Sequence, residues 1–348
     1  MNLAKIAKLA NVSKSAVSMA LNGKPGVSGA TRARVLRIAR EIGYTPRSVG
    51  AGVSNKVVRL LACVEGEVVS ASFARMPFFL KLIEHIQEAA SSSGYGCVVS
   101  TVPLASAVEE LAKVETTMHS AGLILLGTNL RVPEMRAIGE GRPKLVVVDA
   151  FDEVLPLNMV VMNNRQGANL AAQHLLALGH RRVGYGRCAT RVLNFEAREK
   201  GFLDVLASQD LAVDAADFFA LPASIEGAQK AFSAAIEGRR KDLPTAIFCE
   251  SDYLAVGVVR ALANAGVAVP EQISVVGFDN IPESSLVTPE LTTVHVAKDQ
   301  IAHTAVERLL ELMDEDEKDH SAVKQIIDTR LVERASTAKP SPMALQVP

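Results

Sequence analysis

The chain has 348 residues, enough for two or three domains with cores of ordinary size. Hydrophobic residues make up 49% of it and aromatic residues 4%, which is typical of a globular α/β protein and excludes a disordered one. The first 50 residues hold nine lysines and arginines against one acid, a net charge of +8, whereas the whole chain carries −1 and residues 51–348 therefore carry −9. A basic head on an acidic body is typical of a protein that binds nucleic acid phosphates.

The four cysteines are widely spaced and form no C-x-x-C pair. This spacing predicts reduced core thiols in a cytosolic protein and argues against a disulfide framework or a zinc site. The N-terminus lacks the apolar core of a signal peptide, and no apolar run approaches the roughly 18 residues that a membrane span needs. We therefore expect a cytoplasmic protein that does not enter a membrane.

The sequence of residues 11–22 predicts a short helix that contacts base edges of DNA. Ser13 is a candidate N-cap, and Ala16, Val17, Ala20 and Leu21 share one apolar face. The opposite face carries the short, mostly polar side chains of Lys14, Ser15, Ser18, Met19 and Asn22. A preceding helix has its own apolar face at Leu3, Ile6, Ala7 and Ala10. The pair forms a helix-turn-helix pattern with the second helix in the major groove, and the basic charge favours this over two helices of an ordinary core.

A third helix is predicted after Ser28, with a buried stripe that ends near Ile42 and a terminating Gly43. Pro46 then disfavours helix at the preceding residue. We expect a head at residues 1–46 and a hinge at 47–56, rich in small residues.

From residue 57 the pattern alternates between apolar strands and amphipathic helices, which indicates parallel sheets flanked by helices. The predicted strands are Val57–Val64, Gly96–Val102, Gly122–Leu126, Lys144–Ala150, Arg182–Gly186, Ala246–Cys249 and Ile273–Gly277. The predicted helices are Phe78–Ala90, Ser106–Met118, Gln166–Leu178, Phe195–Gln209, Ile225–Ala235 and Tyr253–Ala265. Two runs divided near residues 160–163 suggest two similar lobes with a cleft between them. We expect a charged loop at Asp314–His320 and a disordered tail at 338–348.

These segments resemble the lactose-repressor/galactose-repressor family of bacterial transcription regulators over nearly the whole chain. In the head the matching residues are 6–10, 12–13, 17–18, 21–23, 27–28, 31–32, 35 and 43–46, and in the body 164–167, 174–182, 269–270, 275–279, 289–293, 331–334 and 336–337. The resemblance implies an α/β fold with a small all-α helix-turn-helix head and two Rossmann-like lobes of the type I periplasmic-binding-protein kind, at residues 57–337. It also implies a homodimer that binds double-stranded operator DNA and a small-molecule effector.

The family's base contacts fall on Ser13, Lys14, Ser15, Ser18 and Asn22, with Leu3 and Ala4 near the DNA backbone or thymine methyl groups. Two positions depart from the family pattern. Met19 stands where an arginine is usual, so Lys14 is expected to make the cationic base contact, while Met19 either touches bases or fills space. Val53 stands where a hinge-helix leucine wedges into the minor groove. Gly50 and Gly52 flank it, each lowering helix propensity by about 1 kcal/mol relative to alanine, and the alternative is a plain flexible linker.

The family's effector-contacting positions fall on Arg198 and Asp279. An arginine with a carboxylate suits vicinal hydroxyl groups of a sugar or a related polar metabolite, although Asp279 could instead cap the following turn. Ser251 stands where many relatives have asparagine, and Asn194 is a further candidate. Phe79, or its neighbour Phe78, could stack on a sugar face or belong to the core.

Other classes of protein fit less well. An enzyme would need a nucleophile with its base, a metal cluster or a phosphate-binding loop, and the sequence has none of the motifs typical of them, so we expect no cofactor or metal. A periplasmic solute-binding protein would explain the body but not the basic head, and a nucleoid-type protein would explain only the head. The tail lacks an apolar heptad for a coiled-coil tetramer.

Overall fold

The computed structural model describes residues 3–21, 27–29, 31–32, 34–35, 38, 56–239, 242–314 and 321–341. Contacts divide the chain into two units, Met1–Lys56 and Val57–Pro348. Asn22, Gly43, Pro46 and Val53 lie outside the described residues, as do the predicted hinge before Lys56 and most of the predicted charged loop. Among the described residues, no helix is both long and apolar enough to cross a membrane.

The first unit contains the two predicted helices of the helix-turn-helix, α1 (Leu3–Ala10) and α2 (Lys14–Leu21). Ser13 caps α2, because its Oγ accepts a hydrogen bond from the amide of Ala16 at 3.1 Å. Ser28 Oγ accepts in the same way from the amide of Thr31 at 3.2 Å, and the described residues among 29–38 are helical. The described core consists of Ile6, Ala7, Ala10, Val17, Ala20, Val35 and Ile38. Local capping and apolar spacing thus account for this unit.

The second unit forms two lobes, each built on a six-stranded sheet. The strands are β1 (Val57–Val64), β2 (Gly96–Pro103), β3 (Gly122–Leu126), β4 (Leu145–Val148), β5 (Asn158–Met162), β6 (Val183–Cys188), β7 (Phe218–Leu221), β8 (Ala246–Cys249), β9 (Ser274–Asp279), β10 (Thr292–His295), β11 (Lys324–Ile327) and β12 (Arg330–Val332). The order is β11-β5-β4-β3-β1-β2 in lobe 1 and β12-β10-β9-β8-β6-β7 in lobe 2, and all pairs are parallel except β10 with β12. The central strands are buried along their whole length, as parallel strands between helices are.

Eight helices are described in this unit: α3 (Pro77–Ser92), α4 (Ala107–Thr117), α5 (Val132–Gly139), α6 (Asn164–Leu178), α7 (Leu193–Ala207), α8 (Ile225–Ala235), α9 (Asp252–Asn264) and α10 (Lys298–Asp314). Helix α10 packs against α3 and the strands β3, β4 and β5, so it belongs to lobe 1 although it follows lobe 2 in sequence. The chain therefore crosses between the lobes three times, after β5, after β10 and after β11. The sequence predicted two consecutive runs of alternating strands and helices, one for each lobe. It did not predict that α10 and β11 return to lobe 1.

Hydrogen bonds connect the chain segment that crosses after β5 with the segment that crosses after β11. The amide of Asn163 donates to the carbonyl of Ile327 at 2.7 Å, and its side-chain amide donates to Asp328 at 2.8 Å.

Near the C-terminus the amide of Ala338 donates to Ser274 Oγ at 3.0 Å. Residues 338–341 of the predicted tail are thus described, whereas residues 342–348 lie outside the description.

Helices α6 and α7 approach closely at Gly201, where a Cβ atom would lie 2.3 Å from the carbonyl oxygen of Arg165. We expect Gly201→Ala to lower the free energy of unfolding by about 1–3 kcal/mol, because backbone cannot move aside as a side chain can. Urea unfolding measures this, with Lys200→Ala on the exposed face of α7 as the control. A gain of about 1 kcal/mol, as in an unobstructed helix, would contradict the close approach.

Candidate functional site: a reading helix and a cleft between two lobes

The predicted DNA-reading face lies at the start of α2. The side chains of Ser13, Lys14 and Ser15 are exposed next to one another, and Met19 is half-buried on the same helix. Ser18 and Leu3 lie within α2 and α1, but their side chains are outside the description. A capped helix with short exposed polar groups at its N-terminal end is suited to enter a major groove and contact base edges.

The five residues predicted to bind an effector line one cavity between the lobes. Phe79 comes from lobe 1, and Asn194, Arg198, Ser251 and Asp279 come from lobe 2. The free volume of the cavity is about 50 Å³ in this structure. Asp279 ends β9 and Ser251 follows β8, so both lie at the carboxyl edge of a parallel sheet, where ligands of open α/β proteins bind.

Arg198 is buried at the centre of this cavity on α7. Its Nε donates to Asn164 Oδ1 at 2.8 Å and its Nη1 to the carbonyl oxygen of Glu250 at 2.6 Å. The guanidinium carbon lies 3.7 Å from the centre of the Phe278 ring, which fixes the plane of the group. Nη2 has no hydrogen-bond partner in the described part of the chain and remains available as a donor.

Asp279 faces the guanidinium group. Its Oδ1 lies 3.2 Å from Arg198 Nη1, yet this oxygen is buried and receives no aligned hydrogen bond from the described residues. Burial raises the pKa of Asp279, while the charges of Arg198 and Lys298 oppose that rise. Two residues that line the cavity thus hold a buried acceptor without an aligned donor beside a guanidinium group, and neighbouring hydroxyl groups of a ligand can satisfy such a pair.

Asn194 joins the two lobes at the cavity. Its side-chain amide donates to the carbonyl oxygen of Asp149 at 2.9 Å and to Asp149 Oδ1 at 2.8 Å. The hydroxyl of Thr128 donates to the other carboxylate oxygen of Asp149, and Asn164 donates to Asn194 Oδ1 at 2.9 Å. The position of Asn194 therefore depends on lobe 1 and on α6 together.

Aromatic side chains close the lobe 1 side of the cavity. Phe78 and Phe79 are both buried and meet edge to face with centroids 5.3 Å apart. The amide of Phe78 donates to the hydroxyl of Tyr253 in lobe 2 at 3.1 Å. Apolar ring faces beside polar groups are typical of sites for sugars and nucleosides, whose faces are apolar and whose edges carry hydroxyl groups.

Further contacts across the cleft hold the lobes close together. Arg131 Nη1 of lobe 1 lies 2.9 Å from Glu196 Oε1, and its Nη2 donates to the carbonyl oxygen of Arg191 at 3.0 Å. The amide of Ala223, a residue that lines the cavity, donates to Glu67 of lobe 1 at 3.3 Å. We therefore expect a ligand that enters between the lobes to displace some of these contacts.

Burial raises the pKa of Asp149 to about 7, against an ordinary value near 3.8. The folded protein therefore holds a proton that the unfolded chain has lost, and stability from this group is complete below about pH 4 and lost as the pH rises to about 7. We expect Asp149→Asn to reduce this loss, so that the variant gains stability relative to the parent from pH 5 to pH 8. Urea unfolding at pH 5, 6, 7 and 8 measures it, and parallel curves for the two proteins would contradict the assignment.

Sequence reasoning did not identify Asp149, Thr128 or Tyr253 as cavity residues. Thr128 and Asp149 each follow an apolar strand of lobe 1 by one or two residues, at the same sheet edge as the predicted residues. A polar residue directly after an apolar parallel strand was the available indication. Tyr253 lies in the first turn of α9, and the sequence predicted it only as the start of the helix Tyr253–Ala265.

Two family models match the chain. Residues 2–47 match bacterial regulatory proteins of the lacI family, and residues 172–337 match a periplasmic binding protein-like domain. A curated relative, the transcriptional regulator MalR of Streptomyces coelicolor, is 33% identical over 350 residues, covering 97% of this chain and 96% of MalR. The head and the two-lobed body therefore define the class of protein: a DNA-binding transcription regulator with a periplasmic-binding-protein-like domain.

The chain belongs to the lacI family of bacterial regulatory proteins. Solved structures share the fold: the regulator CelR in complex with cellobiose is 23% identical with a TM-score of 0.70, and the Lac repressor dimer bound to operator and the anti-inducer ONPF is 24% identical with a TM-score of 0.72. Each comparison covers 97% of this chain and 99% of the other. The resemblance stated from the sequence is confirmed, as are the α/β fold class and the regulatory function.

Proposed function

We propose that this protein is a transcriptional repressor that binds a pseudo-palindromic operator as a homodimer and is controlled by a sugar or a related metabolite in the cleft. The cavity carries the proposal, because it joins an unsatisfied buried carboxylate oxygen of Asp279 to an available donor of Arg198 beside aromatic walls. The structural relatives support it, since one is a dimer on operator DNA and another holds cellobiose. A regulator of chromosomal operators acts in the cytoplasm, where we place this protein.

On the DNA, each head lays α2 in a major groove, with Ser13, Lys14, Ser15, Ser18 and Asn22 towards base edges and Met19 in apolar contact. Leu3 contacts the backbone or thymine methyl groups, and Val53 of each protomer enters the minor groove at the centre of the operator. A two-fold dimer of identical heads requires a site with matching two-fold symmetry.

In the cleft, Arg198 and Asp279 bind hydroxyl groups, Asn194 and Ser251 orient them, and Phe79 packs against the ligand face. A ligand that binds one lobe orientation better than the other shifts the population between them. The resulting coupling to operator affinity is about 1–3 kcal/mol, or roughly 5- to 150-fold.

Operator affinity in the presence of metabolites tests this function. Fluorescence anisotropy of a labelled operator duplex is measured with full-length protein against a panel of mono- and disaccharides, including cellobiose, and of nucleosides. We expect one class of compound to change the operator Kd by at least fivefold. Asp279→Ala is expected to abolish that response, whereas Asp204→Ala on the exposed face of α7 keeps it. Full response in Asp279→Ala would contradict the cleft assignment.

A further inference from the structure

Lys298 is a buried lysine in contact with Asp279, a residue that lines the cavity. It is the first residue of α10, directly after the chain crosses from β10 of lobe 2 to lobe 1, and its side chain is 8% exposed. Lysines are almost never buried to this extent unless they have partners. Its Nζ donates to the backbone carbonyl oxygen of Asp279 at 2.6 Å, with a weaker approach of 3.4 Å to that of Val296. Lobe 1 thus reaches the residue that presents the unsatisfied carboxylate in lobe 2.

The backbone that Lys298 contacts has an unusual conformation. Asp279 has φ = 109° and Asn280 has φ = 50°, so two consecutive residues with side chains occupy the region that favours glycine. Such a conformation persists only where its surroundings hold it. On the far side of the turn, Asp252 Oδ2 accepts from the amide of Ile281 at 2.9 Å. Lys298 and Asp252 therefore hold the turn from its two ends.

Ionisable groups also surround Lys298. Burial lowers the pKa of Lys298, and the neighbouring carboxylates of Asp279 and Asp252 oppose this. The Nζ atom lies 5.3 Å from the centre of the Phe78 ring, at the start of α3, which lines the cavity on the lobe 1 side. The ammonium group of Lys298 thus bonds the backbone of Asp279 and leaves the side-chain Oδ1 of that residue to Arg198 Nη1, 3.2 Å away.

We propose that Lys298 is the positioning residue for effector recognition: it holds the turn at residues 279–281 in its left-handed conformation and so directs the Asp279 carboxylate into the cleft. A methionine would fill the same volume, so packing alone does not require a buried charge here. The assignment deepens the proposed function and rests on it for the role of Asp279 as an effector contact. The role of Lys298 in shaping the turn stands independently of which metabolite binds.

Crystal structures of full-length Lys298→Met and Lys298→Arg test the proposal without a ligand. We expect Lys298→Met to return Asp279 to a negative φ and to withdraw its carboxylate from the cavity, whereas Lys298→Arg, which keeps charge and donor, preserves both. Lys324→Met is the matched control, because Lys324 also donates to a backbone carbonyl, that of Glu153 at 2.5 Å, but at the far edge of lobe 1. A Lys298→Met structure with Asp279 unchanged would overturn the proposal.

A second variant and a second readout complete the test. Lys298→Gln keeps a donor but is too short to reach the Asp279 carbonyl. It is used if Lys298→Met does not fold, and the same displacement of Asp279 is expected.

In the operator assay, both neutral variants are expected to bind operator within twofold of the parent without metabolite. They are expected to need at least tenfold more of the active compound, with Lys298→Arg restoring the response. An unchanged requirement would overturn the functional half of the proposal. If no compound acts on the parent protein, the proposed function fails while the structures still decide the role of Lys298.

Discussion

Replacing Arg198 by methionine is expected to lower the free energy of unfolding by about 3–5 kcal/mol and to abolish the response to any effector. The guanidinium group lies 3.2 Å from the buried carboxylate of Asp279, and its charge also opposes the rise in the pKa of the buried Asp149, so both groups lose a neighbouring cation. Removing one partner of a buried charge pair costs about this much, because the remaining charge stays desolvated. The carbonyl of Glu250 and the amide oxygen of Asn164 also lose their donor.

Urea unfolding at pH 7 measures this loss, with Arg165→Met as the matched control. Arg165 pairs with Asp204 at 2.5 Å, but its side chain is 61% exposed, and exposed ion pairs contribute about 0–1 kcal/mol. Both substitutions remove a guanidinium group, one from α6 and the other from α7. The difference between their effects on the free energy of unfolding therefore measures the effect of burying that group. A loss below 1 kcal/mol for Arg198→Met would show that the charges in the cavity are solvated or mutually neutralised.

Lys14→Ala is expected to weaken specific operator binding by about 1–3 kcal/mol, or roughly 5- to 150-fold. Lys14 is the exposed cation in the first turn of α2, next to Ser13 and Ser15. With Met19 in place of the usual arginine, it is the cation on this face that can bind a guanine edge, and a good base contact has this magnitude. The effect is expected to be confined to the cognate sequence, because a phosphate contact would weaken all sequences alike.

Anisotropy titrations at two salt concentrations, with cognate and scrambled duplexes, separate these cases. Lys200→Ala removes an exposed lysine of the body and is expected to leave both affinities within twofold. Equal weakening on both duplexes, with the salt slope reduced by about one, would assign Lys14 to a phosphate instead.

Local patterns predicted those parts of the fold that depend on neighbouring residues. Ser13 caps α2 and Ser28 caps the following helix because capping needs only residues three positions apart. The cavity residues Arg198 and Asp279 come together because one lies in the first half of a helix and the other at the carboxyl end of a parallel strand, and a doubly wound sheet gathers such positions at one edge.

The parts that sequence reasoning missed depend on contacts between distant segments. Helix α10 and strand β11 return to lobe 1, and no local pattern encodes which of two similar sheets a segment joins. Lys298 has the sequence appearance of an exposed residue at a helix start, and its burial follows only from the crossing that places it under Asp279. Asp149 is a single acid after an apolar strand, and its link to Asn194 spans 45 residues.

Selection of bound duplexes from a random DNA pool, with purified full-length protein at two salt concentrations, tests most directly whether this chain reads an operator as a symmetric dimer. We expect recovery of a two-fold symmetric site whose half-sites are contacted by α2, with the bases at the Met19 position differing from those that an arginine selects. Binding that depends on salt but selects no motif, with and without added sugars or nucleosides, would contradict sequence-specific dimeric recognition.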